Sequence, residues 1–320
     1  MELLWCHMGQ RAVISTVCVD SQAPQCFYSG TTQHPVYVDV VPPSNGAEAK
    51  APIVMLHGAF HTGSGYLATP DGRPGWAHYF AALGHTVYVA DWPGHGRSPA
   101  DRDFATLSTR DIAQSVAVLL AEVGSAIVFA HSAAGPVAWW IAANHPSLVV
   151  AIVGIAPGPP ANIQRSLPDD PVAIAELRND SAAGCPIYSP KDSPVWVDRE
   201  FIQTFWANGP RFPHEAFEAY ARSVVPESAA VLNERFHIGG KGLTIAGPED
   251  VAGRPVLIVT GEQDPRHPRE VDARLAAFLE AEHLWLPAAG VAGNGHMLML
   301  ETNSDVIAGL IAAWLAGKLV

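Results

Sequence analysis

The chain has 320 residues, of which 48% are hydrophobic and 16% charged, and its formal net charge is -12. This composition is typical of a compact globular protein with one large core, and it excludes a disordered chain. The acidic balance argues against nucleic acid and anionic membrane surfaces as partners, because both attract basic proteins.

The N-terminal residues and the cysteines indicate the compartment. Residues 1–8 show no basic segment followed by a long apolar run, so the sequence predicts no signal peptide. No apolar stretch reaches the roughly 20 residues of a membrane span. Cys6, Cys18, Cys26 and Cys185 form no C-x-x-C pair and no zinc-binding spacing. We therefore expect a cytoplasmic protein with free thiols, no metal and no cofactor, and a homodimer is left open.

Strands and helices alternate over most of the chain. Two β-rich pieces, 12–19 and 35–40, predict antiparallel edge strands. The later predicted strands are 52–56, 85–90, 126–130, 149–155, 255–260 and 283–286, and the predicted helices are at about 108–123, 136–143, 268–281 and 304–317. This alternation implies a parallel sheet that is covered by helices on both faces.

The pattern changes between residues 157 and 250, where prolines become frequent and aromatic residues lack the periodicity of a strand. We interpret 157–250 as a helical cap that is inserted into a core formed by 1–156 and 251–320. Most aromatic residues of the cap are expected to form its own core. Trp196 and Trp206 are the two that we assign to substrate binding.

The predicted strand at 126–130 runs into a tight turn of small residues around Ser132, and a helix follows. A serine on a sharp strand-to-helix turn is the nucleophile elbow of an α/β-hydrolase. The usual pattern is G-x-S-x-G, but Ala130 and Ala134 replace both glycines. We therefore predict an α/β-hydrolase fold, with a mostly parallel sheet, helices on both faces and an inserted helical cap.

An acid and a histidine follow Ser132 in the chain order of this fold class. Asp264 lies just past the strand at 255–260, and His296 lies in a glycine-rich loop before the last helix. A serine hydroxyl needs a base to take its proton, and the base needs an acid to orient it. Each residue alone would fit an ordinary turn or loop. Their order predicts Ser132 as nucleophile, His296 as base and Asp264 as acid.

Two backbone N–H groups are expected to bind the oxyanion of the tetrahedral intermediate. Ala133, directly after the nucleophile, supplies one, and Ala59, directly after His57-Gly58, supplies the other. Phe60, next to Ala59, and His131, next to Ser132, are assigned to substrate binding.

Several segments resemble a bacterial esterase family related to esterase 713 and the sulfonylurea-herbicide esterases. The segments are His57–Gly63, Thr69–Trp76, Asp91–Ser98 and Gly293–Glu301. The resemblance covers roughly residues 30–160 and 250–317. It implies an α/β-hydrolase that cleaves esters with a serine nucleophile.

One departure from that family concerns the acid. The resemblance implies a catalytic glutamate on the strand after the nucleophile, but Ala156 stands there. A methyl group cannot orient a histidine, so we expect Asp264 to take this role. The oxyanion loop has Ala59-Phe60 where exported relatives carry adjacent cysteines, which fits an intracellular site.

The sequence predicts a serine hydrolase that cleaves an ester or lactone of an apolar small molecule through an acyl-enzyme. The loss of the glutamate and of both elbow glycines leaves other chemistry open: an acyltransferase, a C–C hydrolase, or a cyclase or lyase of secondary metabolism. A binding protein without activity is a third hypothesis, which the intact serine, histidine and oxyanion loop disfavour.

Overall fold

The computed structural model describes residues 25–44, 46–100 and 102–319. The strands are β1 (Gln25–Gly30), β2 (Pro35–Val41), β3 (Lys50–Leu56), β4 (His85–Asp91), β5 (Ala126–His131), β6 (Val149–Ile155), β7 (Val256–Thr260) and β8 (Glu282–Trp285). The helices are α1 (Ser64–Leu67), α2 (Trp76–Ala82), α3 (Thr109–Val123), α4 (Gly135–Asn144), α5 (Pro171–Glu176), α6 (Arg199–Phe205), α7 (Phe217–Ser223), α8 (Ala229–Arg235), α9 (Arg269–Phe278) and α10 (Ser304–Lys318). The strand predicted at 12–19 and the predicted lack of a signal peptide concern residues outside this description.

The strands form one eight-stranded sheet in the order β1-β2-β4-β3-β5-β6-β7-β8. β2 is antiparallel to both of its neighbours, β1 and β4. The remaining pairs of neighbouring strands, which involve β3 to β8, are all parallel. The predicted α/β-hydrolase fold with a mostly parallel sheet is confirmed. The edge strand β1 was not predicted, because its sequence has few of the β-branched residues that indicated the other strands.

Alternate side chains of the central strands enter two separate cores. Ile53 and Met55 of β3 pack into a cluster with α2 and α10, whereas Val54 and Leu56 pack into a cluster with α3, α4 and α9. This separation follows from the pleat of a strand, which points successive side chains to opposite faces. The sheet is thus covered on both faces, and its loops are left to form a site.

Helix α3 supports the elbow helix α4, against which it packs. Its start is fixed by a capping box, in which Asp111 N–H donates to Ser108 Oγ at 3.2 Å and Ser108 N–H donates to Asp111 Oδ2 at 3.0 Å. Such a cap satisfies N–H groups that have no partner within the helix.

The predicted cap, residues 157–250, leaves the sheet after β6, returns at β7 and contains helices α5 to α8. Its aromatic residues Phe201, Phe205, Phe212 and Tyr220 are at most 5% exposed and belong to a core cluster. They were expected to form the cap's own core, but the same cluster also contains residues of the sheet such as Met55, so their core is shared with the rest of the protein. In the part of the chain that the structure describes, no helix has the length and apolar character needed to cross a membrane.

Candidate active site

Ser132 lies at the sharp turn between β5 and α4. Its φ angle is +51°, in the left-handed region that non-glycine residues seldom adopt. Residues Ser132–Ala134 form a short 3-10 turn, and α4 begins at Gly135. Strain of this kind persists only where the surrounding structure enforces it, and it is frequent at active sites.

Two glycines outside the usual motif make room for this turn. A Cβ added at Gly58 would lie 2.9 Å from Ser132 Cβ, and one added at Gly135 would lie 2.2 Å from the carbonyl oxygen of Gly158. Ala134 has an ordinary helical φ of -74°. The close approaches therefore fall on other residues, which explains why alanines are tolerated at the two motif positions.

Ser132, His296 and Asp264 lie in one hydrogen-bonded line. His296 Nδ1 donates to Asp264 Oδ2 at 2.6 Å, and the Ser132 hydroxyl donates to His296 Nε2 at 3.1 Å. Asp264 Oδ1 accepts the backbone N–H of Arg266 at 2.9 Å. Each member follows a different parallel strand at its carboxyl end, where open α/β sheets place their functional groups.

Ala156 directly follows β6, at the position of the glutamate that the resemblance implies. The residue is fully buried, has a φ of +42°, and donates its N–H to Val259 O at 2.9 Å. Its methyl group offers no acceptor. The carboxylate that His296 contacts is that of Asp264, from the next strand of the sheet.

Burial and charge set the protonation states of this line. Burial alone would raise the pKa of Asp264, but the adjacent His296 outweighs it and lowers the pKa to about 2. Burial lowers the pKa of His296 below 6.5, although Asp264 opposes this shift. At neutral pH Asp264 is therefore ionised and His296 neutral, as a general base and its orienting acid require.

A second buried carboxylate holds the loop that carries His296. Glu301, fully buried, accepts the N–H of Gly295 and the side-chain amide of Asn294, both at 2.5 Å. Burial raises the pKa of Glu301 to about 7, although these hydrogen bonds oppose the shift. Glu301 was quoted only as part of the resembling segment, since nothing in the sequence indicated that its side chain turns back to the loop.

The loop after β3 is held by the cap. Glu227 lies between α7 and α8, is fully buried, and accepts the backbone N–H of Phe60 at 3.0 Å. Phe60 O in turn accepts the N–H of Val225 at 2.9 Å. Because the N–H of Phe60 is engaged, the neighbouring N–H of Ala59 is the candidate oxyanion donor from this loop. Ala133, the other candidate, is the second residue of the turn at the start of α4.

A cavity of about 170 Å³ lies beside the line of three residues. It is lined by His131 and Met297, the chain neighbours of Ser132 and His296. His131 is buried, and its Nε2 donates to His296 O at 3.2 Å. The remaining lining includes His57, His61, Tyr66, Tyr220, Met299 and Leu300. The cavity is thus largely apolar, with histidines at its polar points.

His61 and Tyr220 are two residues of this cavity that sequence reasoning did not single out. Tyr220 donates its hydroxyl to His61 Nε2 at 2.8 Å, and His61 Nδ1 donates to Ala59 O at 2.7 Å. Burial lowers the pKa of His61 to about 4, so the ring is neutral at neutral pH. This path connects the cap to the proposed oxyanion residue, and no local pattern in the sequence could pair residues so far apart.

The four residues assigned to substrate binding occupy different places. His131 lines the cavity, whereas Phe60 and Trp206 are 1% and 2% exposed and pack together with ring centroids 5.5 Å apart. Trp206 also packs on His61, at 4.8 Å, so this pair forms the wall behind the cavity. Trp196 is 70% exposed and lines a separate surface groove, which contains none of Ser132, His296 and Asp264.

Asp264, His267 and His296 also offer ligand atoms within 4.8 Å of one another, a set that suits a divalent metal. Each atom already has a hydrogen-bonding role. His296 and Asp264 bind each other, while His267 Nδ1 donates to Asp272 at 3.0 Å and its Nε2 accepts from Arg235 at 3.3 Å. The arginine cation beside His267 opposes a second cation, so the set fits a hydrogen-bond network better than a metal.

Comparison with known proteins agrees with this geometry. The sequence matches the Alpha/beta hydrolase family over residues 53–310. It is 25% identical to a probable secreted lipase, phiG, of a Fungal sp. (strain ATCC 74256), over 92% of this chain and 90% of the relative. It is 24% identical to the monoacylglycerol lipase of Mycolicibacterium smegmatis, over 94% of this chain and all of the relative, 100%.

A solved structure has the same fold. The esterase EaEST from Exiguobacterium antarcticum superposes with a TM-score of 0.65, at 15% sequence identity, over 91% of this chain and 100% of that chain. The narrower resemblance to the esterase 713 relatives stays a prediction. Because the family match spans most of the sequence, the chain belongs to the alpha/beta hydrolase family.

Proposed function

We propose that this enzyme is a serine hydrolase that cleaves an ester or lactone of an apolar small molecule through an acyl-enzyme. The observation that carries the proposal is the hydrogen-bonded line from Ser132 through His296 to Asp264, with steps of 3.1 and 2.6 Å. Both curated relatives are lipases, which supports ester bonds as the class that is cleaved.

The geometry supports the following sequence of steps. His296 Nε2 takes the proton of the Ser132 hydroxyl as the oxygen attacks the ester carbonyl. The N–H groups of Ala59 and Ala133 bind the oxyanion that forms. His296 returns the proton to the leaving alcohol, and it then activates a water that releases the acid. Asp264 holds Nδ1 protonated throughout, which keeps Nε2 free to accept.

The lining of the cavity supports an apolar substrate. Met297, Met299 and Leu300 follow His296 closely in the chain and line the cavity, as does Tyr66. Apolar walls with a few placed polar groups are typical of small-molecule sites. A volume of about 170 Å³ accommodates a short acyl chain or a small ring.

The test is the time course of p-nitrophenol release from p-nitrophenyl butyrate. We expect a burst of one product per enzyme, followed by slower turnover, as an acyl-enzyme requires. Ser132→Ala removes the nucleophile and should lower kcat by roughly 10⁴-fold or more. Ser166→Ala, an exposed serine of the cap, is the matched control and should keep full activity. Full activity of the Ser132→Ala variant would refute the proposal.

The alternative chemistries and the location of the protein rest on the sequence alone. No specific contact favours an acyltransferase, C–C hydrolase, cyclase or lyase over the esterase. An intracellular location is proposed from the sequence, while one curated relative is a secreted lipase. Cys26 and Cys185, the cysteines within the described residues, are both free thiols.

A further inference from the structure

A second cavity, of about 230 Å³, is lined by arginines although the protein as a whole is acidic. Arg235 and Arg266 are 7% and 8% exposed, while Arg165 and Arg274 are exposed at its rim. Among the described residues that line this cavity there is one histidine, His267, and no aspartate or glutamate. Four of the 19 basic residues of the chain thus meet around one space.

The two buried guanidinium groups have no ion-pair partner among the residues that the structure describes. Arg266 donates to Cys185 O at 3.5 Å, and its guanidinium lies 5.1 Å from the ring centroid of Phe236. Arg235 donates to His267 Nε2 at 3.3 Å. Most of their donor capacity therefore remains available to a molecule in the cavity.

A buried cation without a counter-ion is costly, and two adjacent ones repel each other. Burial and the neighbouring Arg266 lower the pKa of Arg235 to about 10, so Arg235 still carries its charge at neutral pH. Burial also lowers the pKa of Arg266. An anion between them would remove the repulsion and accept hydrogen bonds from both. Arginine is suited to this, since its planar fork matches the two oxygens of a carboxylate.

The position of Arg235 is held by a buried relay. Thr260 Oγ1 donates to Asp272 Oδ2 at 2.7 Å, and Asp272 Oδ1 accepts from His267 Nδ1 at 3.0 Å. His267 Nε2 then accepts from Arg235. The relay orients the guanidinium, and the charges of Asp272 and Asp264 partly offset that of Arg235, although both carboxylates bind histidines rather than the guanidinium.

The cavity adjoins the catalytic line through His267, which is part of its lining. The His267 ring stacks on His296 with centroids 5.5 Å apart, and the backbone N–H of Arg266 donates to Asp264. A Cβ added at Gly158 would lie 2.8 Å from Arg235 Nε, and the N–H of Gly158 donates to Ser132 O at 2.7 Å. Arg266 thus contacts Asp264 directly, whereas Arg235 is separated by one residue from His296 and from Ser132.

We propose that this second cavity binds a carboxylate carried by the substrate, so that the enzyme prefers esters with a free carboxylate on their acyl chain. This inference rests on the proposed esterase function. The apolar part of the substrate would occupy the first cavity, and the carboxylate would lie between Arg235 and Arg266.

The test compares p-nitrophenyl half-esters of succinate, glutarate and adipate with their methyl diesters, which lack the charge. We expect kcat/KM of the wild type to favour one half-ester by about 10- to 100-fold over its diester, the range of a charge-assisted hydrogen bond. Arg235→Met and Arg266→Met should bring this ratio to about one, because each variant removes a donor to the carboxylate that only the half-ester carries. Arg254→Met, an arginine outside the cavity, should leave the ratio unchanged.

Calorimetric titration with free glutarate gives a readout that is independent of catalysis. The wild type should bind it and Arg235→Met should not, and a circular dichroism melt checks that the variant is folded. An unchanged half-ester to diester ratio in both variants would overturn the proposal. Glutarate binding that depends on Arg235 without any half-ester preference would also overturn it, because the anion would then be a free solute. Failure of the wild type on every half-ester and every diester would instead contradict the esterase function.

Discussion

Glu227 of the cap accepts the backbone N–H of Phe60 at 3.0 Å, and it does so with both residues buried. The same Oε2 atom also accepts from His95 Nε2 at 3.1 Å. Burial alone would lower the pKa of His95, but the charge of Glu227 outweighs it and raises the pKa above 6.5. The cap therefore contributes a charged group that fixes the loop on which Ala59 lies.

Replacement of Glu227 by alanine should impair catalysis more than substrate binding. The variant leaves the N–H of Phe60 and the ring of His95 without their partner, so the loop should shift and misplace Ala59. We expect kcat to fall by about 10- to 100-fold, below the loss of a whole oxyanion donor. Steady-state kinetics on p-nitrophenyl butyrate would measure the split between kcat and KM.

Glu234→Ala is the matched control for this change. Glu234 is also a cap carboxylate that binds a backbone N–H of the core, that of Thr109 at 2.8 Å, but at the start of α3. It should lower the melting temperature as Glu227→Ala does and leave kcat near the wild-type value. Equal loss of kcat in the two variants would mean that cap attachment in general is what matters.

Asp264→Asn should nearly abolish turnover, because an amide cannot hold His296 with Nδ1 protonated. We expect kcat to fall by about 10³- to 10⁴-fold, as in serine hydrolases that lose the orienting acid. Asp272→Asn serves as the comparison, since Asp272 is an equally buried carboxylate that binds the ring of His267. On a neutral ester it should retain activity within about tenfold. A mild effect of Asp264→Asn would point to a different acid.

Glu301→Gln should loosen the loop of His296. Both carboxylate oxygens of Glu301 accept an N–H, from Gly295 and Asn294, so an amide must turn an NH₂ group toward one of these donors. The loss of one buried hydrogen bond corresponds to about 1–3 kcal/mol, and we expect kcat to fall by about 5- to 100-fold. Glu262→Gln is the control, because exposed Glu262 accepts the N–H of Gly293 in the same loop at 3.0 Å and should change kcat little. An unchanged kcat in Glu301→Gln would show that Glu301 is not needed to hold the loop of His296 for catalysis.

The dependence of activity on pH should report His296. The neutral ring is the active base, and its pKa lies below 6.5, so kcat/KM should rise with pH through that lower value and reach a plateau near neutral pH. In Asp264→Asn the acid limb of the residual activity should move to still lower pH, because the charge that raises the pKa of His296 is gone. The pKa of Glu301 is raised to about 7. Comparing the pH dependence of kcat/KM in Glu301→Gln with that of the wild type separates the titration of Glu301 from that of His296. An acid limb at or above 6.5 in the wild type would contradict this assignment.

The sequence predicted the elements that have strong periodicity and missed those without it. Strand β6 was predicted with the bounds Val149–Ile155 that the structure shows, because its apolar run is bounded by turns that contain proline. Strand β1 and the short helix α2 were missed, since a strand with exposed residues and a seven-residue helix carry little pattern of their own. Their formation depends on neighbours in the sheet and core.

The residues of the candidate site were predictable where their order in the chain indicates their role. Ser132, Asp264 and His296 each follow a strand in the order typical of this fold, so the sequence sufficed to select them. It could not select Glu227 or Glu301, because each acts on a backbone N–H that only the folded chain brings near. It assigned Trp196 to the substrate on residue type alone, and the structure leaves that side chain exposed in a separate groove.

The sequence by itself determined the alternation of strands and helices and selected the candidate nucleophile and its histidine, because local periodicity and small-residue turns encode these. Only the tertiary structure decided which carboxylate reaches His296 and which glycines make room for Ser132. It also decided that the buried guanidinium groups of Arg235 and Arg266 meet beside the site. These are distances between residues far apart in the chain, and they are set by how the sheet, the cap and their loops pack together.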